Sequence, residues 1–330
     1  TGGVVPFEVG AVLLTVVIVL CVVGGGMRAV ARTDVLQGVL MFSLMLMAFV
    51  AISNGVGGVQ AANRTLLQKL PDLFSAAGRN DFLRSRVMVS YLLLWPLCVP
   101  MFPQMQMRFF AAGDDRSLKQ SMVLYPVVAG VLFICPVMIG MWGHLAFPDL
   151  VGRASDQIMP LMLGRYSPEW LTGLVMVGAL AAFMSTLDSQ LLALSSMLTR
   201  DLYKRYWRSQ ASLQEQVRVG QLVVIALAVA GLAIALRPPE AILSLATHAF
   251  SGLAVLFPML VGAVYGLRWS TFAAIASVIS GELILLGLAT GLIPESIQGG
   301  FLPLIPALVV ACMILGVDYI ITRSVSSAEI

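Results

Sequence analysis

Long apolar runs recur along this chain and set its architecture. A bilayer core about 30 Å thick is crossed by roughly 20 apolar residues in an α-helix. Runs of that order fall at 7–26, 34–53, 86–103, 122–146, 168–197, 217–236, 242–266, 271–292 and 302–322. No segment has the strict alternation of an outer-membrane strand. The pattern predicts an all-α polytopic membrane protein of about nine transmembrane helices, with the lipid bilayer as its solvent.

The polar positions between and within these runs refine the picture. The segment 54–85 is longer than the other connections and amphipathic over Ala61–Leu70, which predicts a surface helix. Pro96, Pro100 and Pro103 crowd the third run and predict a broken helix, because proline removes a backbone donor and clashes with the preceding turn. Pro126 and Pro136 predict kinking or unwinding of the fourth run. Gly24-Gly25-Gly26 before Met27-Arg28 predicts a turn between the first two runs. Discontinuous helices of this kind expose backbone groups to ions and solutes in transporters.

The most informative polar group lies in the fifth run, where Leu180–Gln190 places Ser185, Thr186, Asp188 and Ser189 in apolar surroundings. Hydrocarbon cannot satisfy these groups, so protein, water or an ion must. Ala182, Ser185, Thr186 and Ser189 follow helical i, i+3, i+4, i+7 spacing and share one face. Hydroxyls beside a backbone carbonyl make a seat for a small hard cation such as sodium. Ordinary helix packing is the alternative, since the same small residues line interfaces between membrane helices.

Charge and composition narrow the function. Hydrophobic residues make up 59% and charged residues 11% of the chain, against roughly a quarter charged in soluble domains. The net charge of +3 is dispersed, which argues against a nucleic-acid partner. Cys21, Cys98, Cys135 and Cys312 lack metal-ligand spacing and read as packed thiols. The only metal implied is sodium. No Walker A sequence, dinucleotide fingerprint or catalytic constellation is present, so no enzyme activity and no catalytic residue are expected. Basic residues cluster at Arg28 and Arg32, Arg108–Lys119, Arg200–Arg218, Arg268 and Arg323. The positive-inside rule makes that set, and the C-terminus, cytoplasmic.

Other ionisable residues carry alternatives. Asp34 reads by position as a helix-start charge favoured by the macrodipole. Asp188 must be paired, protonated or coordinating a cation. Glu282 reads as facing a neighbouring helix, His248 as a core imidazole, His144 as interfacial, and Asp318 as locally paired or wet.

Three blocks then resemble the sodium:solute symporters: Gly25–Gly38, Met101–Ala112, and Ala181–Gln190 continuing through Ser195-Ser196 to Asp201–Lys204. The resemblance implies a leucine-transporter-type fold of two inverted five-helix repeats. The chain would supply core helices four to ten and two trailing helices as a single transporter domain, with the first core helices missing. It implies a sodium site at Ala182, Ser185 and Thr186, and a second cation site at Asp34, Asp188 and Ser189. Asp188 departs from the hydroxyl usual there. Trp95, Val99 and Pro103 match substrate-side positions, though Val99 replaces an aromatic polar residue, so proline is not supported as the solute. The implied activity is sodium-coupled symport of a small organic solute (amino acid, monocarboxylate or sugar) across the cytoplasmic membrane of a bacterium. A symporter-like input domain of a histidine kinase, or an inactive fragment, is the alternative.

Overall fold

A computed structural model describes residues 5–78, 81–237, 241–267 and 269–328. Among these, every regular element is a helix. The helices are α1 (Phe7–Gly55), α2 (Val59–Lys69), α3 (Ser85–Cys98), α4 (Pro103–Ala111), α5 (Asp115–Ala146), α6 (Ile158–Tyr166), α7 (Glu169–Met197), α8 (Leu213–Leu236), α9 (Ile242–Val255), α10 (Phe257–Val264), α11 (Thr271–Ala289) and α12 (Leu304–Ala328). Among the described residues, eight stretches are long and apolar enough to cross a membrane, or nine if the bent α3–α4 pair is one span. The protein is therefore an integral membrane protein.

Helix α1 differs from expectation, being helical through the glycines that predict a turn. A straight helix of that length would run about 74 Å, more than twice the apolar thickness of a bilayer. It accordingly carries two candidate crossings, Phe7–Gly25 and Val30–Gly55. Asp34 is thus inside a helix and not at its start.

The chain divides into two compact units. The first comprises Thr1–Lys69 and Met107–Ala241, the second Leu70–Gln106 and Ile242–Ile330. In the first, Leu44, Ala48 and Ile52 recur every fourth residue and pack one face of α1 against Leu171 and Val175 of α7. Trp142 of α5 is fully buried in this cluster and donates its indole N–H to Asn63 Oδ1 at 2.8 Å. Glycine permits the closest approach: a Cβ on Gly178 would lie 2.4 Å from Leu44 Cδ1. Ile18 and Val22, in the other stretch of α1, cluster with Leu191 of α7 and Val224 and Ala228 of α8. Both stretches of α1 therefore line α7.

The second unit is held by small residues. Ala254, Ala307 and Ala311 are fully buried, and Gly281 lies under Val255. Such residues let helix backbones approach where lipid offers no hydrophobic drive. Ser90 accepts from Leu302 N–H at 3.0 Å, and Asp318 accepts from both Ser270 N–H and Ser270 Oγ at the start of α11. The carboxylate of Glu282 sits over Gly252 of α9, where an added Cβ would meet both its oxygens at 3.2 Å.

The proline expectations divide. The third run does break: α3 ends in a 3-10 turn over Val99–Met101, α4 starts at Pro103, and the axes bend by 58°. By contrast α5 stays one helix through Pro126 and Pro136, so of the expected kinking or unwinding the unwinding does not occur. Each proline deletes a single donor, and two of them ten residues apart leave the intervening turns intact. A break the periodicity hides falls in the seventh run, where α9 and α10 are separate helices either side of Leu256. Pro258, near the start of α10, cannot donate back to Ala254.

Candidate functional site: a polar cluster between α1 and α7

The cluster is assembled by two helices whose apolar faces are already locked together. On α7, Ser185 and Ser189 are four residues apart and project toward α1. There Asp34 receives both: Ser185 Oγ donates to Oδ1 at 2.5 Å and Ser189 Oγ to Oδ2 at 3.3 Å. A third donor comes from α4. Arg108 Nη2 lies 2.5 Å from Asp34 Oδ2 and 3.0 Å from Ser189 Oγ. The carboxylate side chain is 16% exposed and the arginine 47%, so the pair is shielded on the acid side only.

Asp188, adjacent in sequence, is 4% exposed, and its Oδ1 has no hydrogen-bond partner among the described residues. Gln37, one turn along α1 from Asp34, likewise has a buried Oε1 without a partner. A buried carboxylate oxygen lacking a donor is costly unless a proton, water or cation meets it. The region therefore holds two carboxylates and one arginine, with acceptor capacity left over.

The three residues expected to seat sodium lie on the same helix. Thr186 Oγ1 donates to the Ala182 carbonyl at 3.2 Å, and Thr186 is exposed. Ser185 is instead turned toward Asp34. All the available atoms are neutral or anionic oxygens, the donor set that hard cations take. The substrate-side residues belong to the other unit. Trp95 meets Phe250 edge-on with ring centroids 5.3 Å apart, Val99 opens the 3-10 turn, and Pro103 starts α4 at the bend.

Sequence reasoning brought Asp34 and Ser189 together but left Arg108 among the loop cations. The available signal was the need of a buried carboxylate for a counter-charge, with Arg108 just beyond a broken helix.

Fold and cluster define a class of polytopic membrane protein in which carboxylates and hydroxyls meet between membrane-spanning helices. The sodium:solute symporter family model matches residues 4–281, and the chain belongs to that family. It is 30% identical over 322 residues to the osmoregulated proline transporter OpuE of Bacillus subtilis, covering 92% of this chain and 63% of that protein. Over 261 residues it is 29% identical to the sodium/pantothenate symporter of Haemophilus influenzae, covering 78% and 53%. The chain thus spans little more than half the length of such relatives. Its fold matches that of a Na+-coupled sialic acid symporter solved in a substrate-bound outward-open state, with a TM-score of 0.73 at 19% identity, covering 96% of this chain and 67% of the other.

Proposed function

We propose that this protein serves sodium-coupled symport of a small organic solute by alternating access. The observation that carries the reading is the Asp34 carboxylate, held inside an apolar span by Ser185 and Ser189 of a second span. Such a group in lipid is expensive and is most often kept for ion or solute passage. Relatives named for sodium-coupled uptake of pantothenate and proline support the same direction, and favour carriage over a sensor role.

In this reading sodium is seated by the Ala182 carbonyl and the Ser185 and Thr186 hydroxyls. Asp34, Asp188 and Ser189 form a second cation region, with Arg108 as a tethered counter-charge to Asp34. Trp95, Val99 and Pro103 stand on the solute side of the broken α3–α4 segment. The solute is an amino acid, monocarboxylate or sugar, and the membrane is the bacterial inner membrane. The exposed hydroxyl of Thr186 leaves room for ligands from a further helix, as the resemblance implies. Each sodium moving down a 100 mV potential supplies about 2.3 kcal/mol before its concentration gradient is counted.

The test is thermal unfolding in sodium chloride against choline chloride, for the unaltered protein and for Ser185→Ala/Thr186→Ala. Sodium at a hundred times its dissociation constant stabilises a folded state by about 2.7 kcal/mol. A sodium-specific rise in midpoint that the double variant lacks is the expected result. Equal midpoints in the two salts for the unaltered protein would remove the sodium site.

A further inference from the structure

A pocket lies at the C-terminal end of α7, about three turns beyond the Asp34 cluster. Its volume is about 250 Å3, and α1, α7 and α8 enclose it. Past Met197 the chain winds as a π-helix over Leu198–Trp207. Wide turns of this kind are rare and tend to occur at functional sites. Thr199, on its first turn, is 4% exposed and borders the pocket, and its buried hydroxyl has no hydrogen-bond partner among the described residues.

Three further features define what would fit. Arg200 lines the pocket and has no carboxylate partner among the described residues. Gly220 of α8 closes the floor, where an added Cβ would lie 3.5 Å from Thr199 Oγ1. The outer wall is apolar and open, with Leu213 73% and Val217 52% exposed. A buried hydroxyl donor at the base and an exposed arginine at the rim, with an apolar flank at the end of a membrane span, suit a phosphate esterified to a hydrocarbon-bearing group.

We propose that this pocket binds the head group of an anionic phospholipid, its phosphate on Thr199 and Arg200 and its acyl chain along Leu213 and Val217. The site is separate from the ion site and does not depend on the transport reading. Basic side chains at membrane surfaces attract anionic lipid diffusely. What marks a bound head group is dependence on the pocket's shape as well as on charge.

Spin-labelled phosphatidylglycerol and phosphatidylcholine, compared by electron paramagnetic resonance on the chain in phosphatidylcholine bilayers, separate these cases. The motion-restricted population should favour phosphatidylglycerol. That preference should fall about fivefold in Arg200→Gln, the worth of one basic residue near a membrane surface. It should fall also in Gly220→Leu, which fills the pocket without altering charge, and persist in Lys204→Gln. No preference in the unaltered chain would overturn the proposal. So would an equal loss in Lys204→Gln, or a preference that survives Gly220→Leu. Displacement of the labelled lipid by millimolar inorganic phosphate would make the site one for free phosphate and overturn the lipid assignment.

Discussion

At the scale of single residues, the decisive arrangement is a largely buried acid with three donors. Asp34 takes hydrogen bonds from Ser185, Ser189 and Arg108, so its charge is spread over neighbours on two other helices. Losing that charge leaves Arg108 without its partner. Because the guanidinium is 47% exposed, solvent takes up part of the loss. Asp34→Asn should therefore destabilise by about 1–2 kcal/mol, at the low end for charged hydrogen bonds, read as a lower unfolding midpoint. Arg108→Gln has the opposite interest. It leaves Asp34 Oδ2 with only the longer Ser189 bond, so a cation drawn to that carboxylate should bind several-fold more tightly. A sodium titration of the unfolding midpoint measures this, and unchanged or weaker affinity would take Asp34 out of the cation region.

Outside the membrane spans, Asp114 illustrates the same logic at a helix start. It caps α5, accepting from Ser117 N–H at 2.7 Å, and hydrogen bonding from Ser117, its side chain first and then its backbone N–H, holds the carboxyl below the usual range. A lowered folded-state value means the cap's contribution is present above the unfolded carboxylate value of about 3.9 and is lost as pH falls through the folded one. Amide exchange at Ser117, after correction for its intrinsic pH dependence, should lose protection below about pH 4, and Asp114→Ala should show that lower protection at neutral pH.

At the scale of elements, glycine sets how closely helices meet. A Cβ on Gly55, at the end of α1, would stand 2.8 Å from Tyr166 Cβ, an atom fixed to the backbone of α6. Gly55→Ala must shift one helix end and should cost about 1–3 kcal/mol, the range for overpacking. Gly178 faces the free end of Leu44, which can rotate, so Gly178→Ala should cost less. Comparing the two unfolding midpoints checks the ordering. The apolar runs foretold most of the helices because about 20 apolar residues in lipid have few other options. Breaks were less legible. Pro96, Pro100 and Pro103 together interrupt a helix, Pro126 and Pro136 do not, and Pro258 does. A proline's effect depends on whether neighbouring turns and packed helices compensate the lost bond, and composition does not record that.

At the scale of the whole molecule, the long apolar runs determined by themselves that the chain lives in a bilayer and crosses it repeatedly. The hydroxyl ladder of α7 was equally legible, because helical periodicity alone puts Ser185 and Ser189 on one face. Its partners were decided by tertiary structure. Arg108 is 74 residues from Asp34 along the chain, and no local pattern links an arginine of one helix to a carboxylate inside another. The pocket around Thr199 was hidden for the same reason, since its walls come from three helices that meet only after folding. Hydrophobic period is a property of one helix and is written in the sequence. The pairing of a buried charge depends on which helices meet, so only the folded chain determines it.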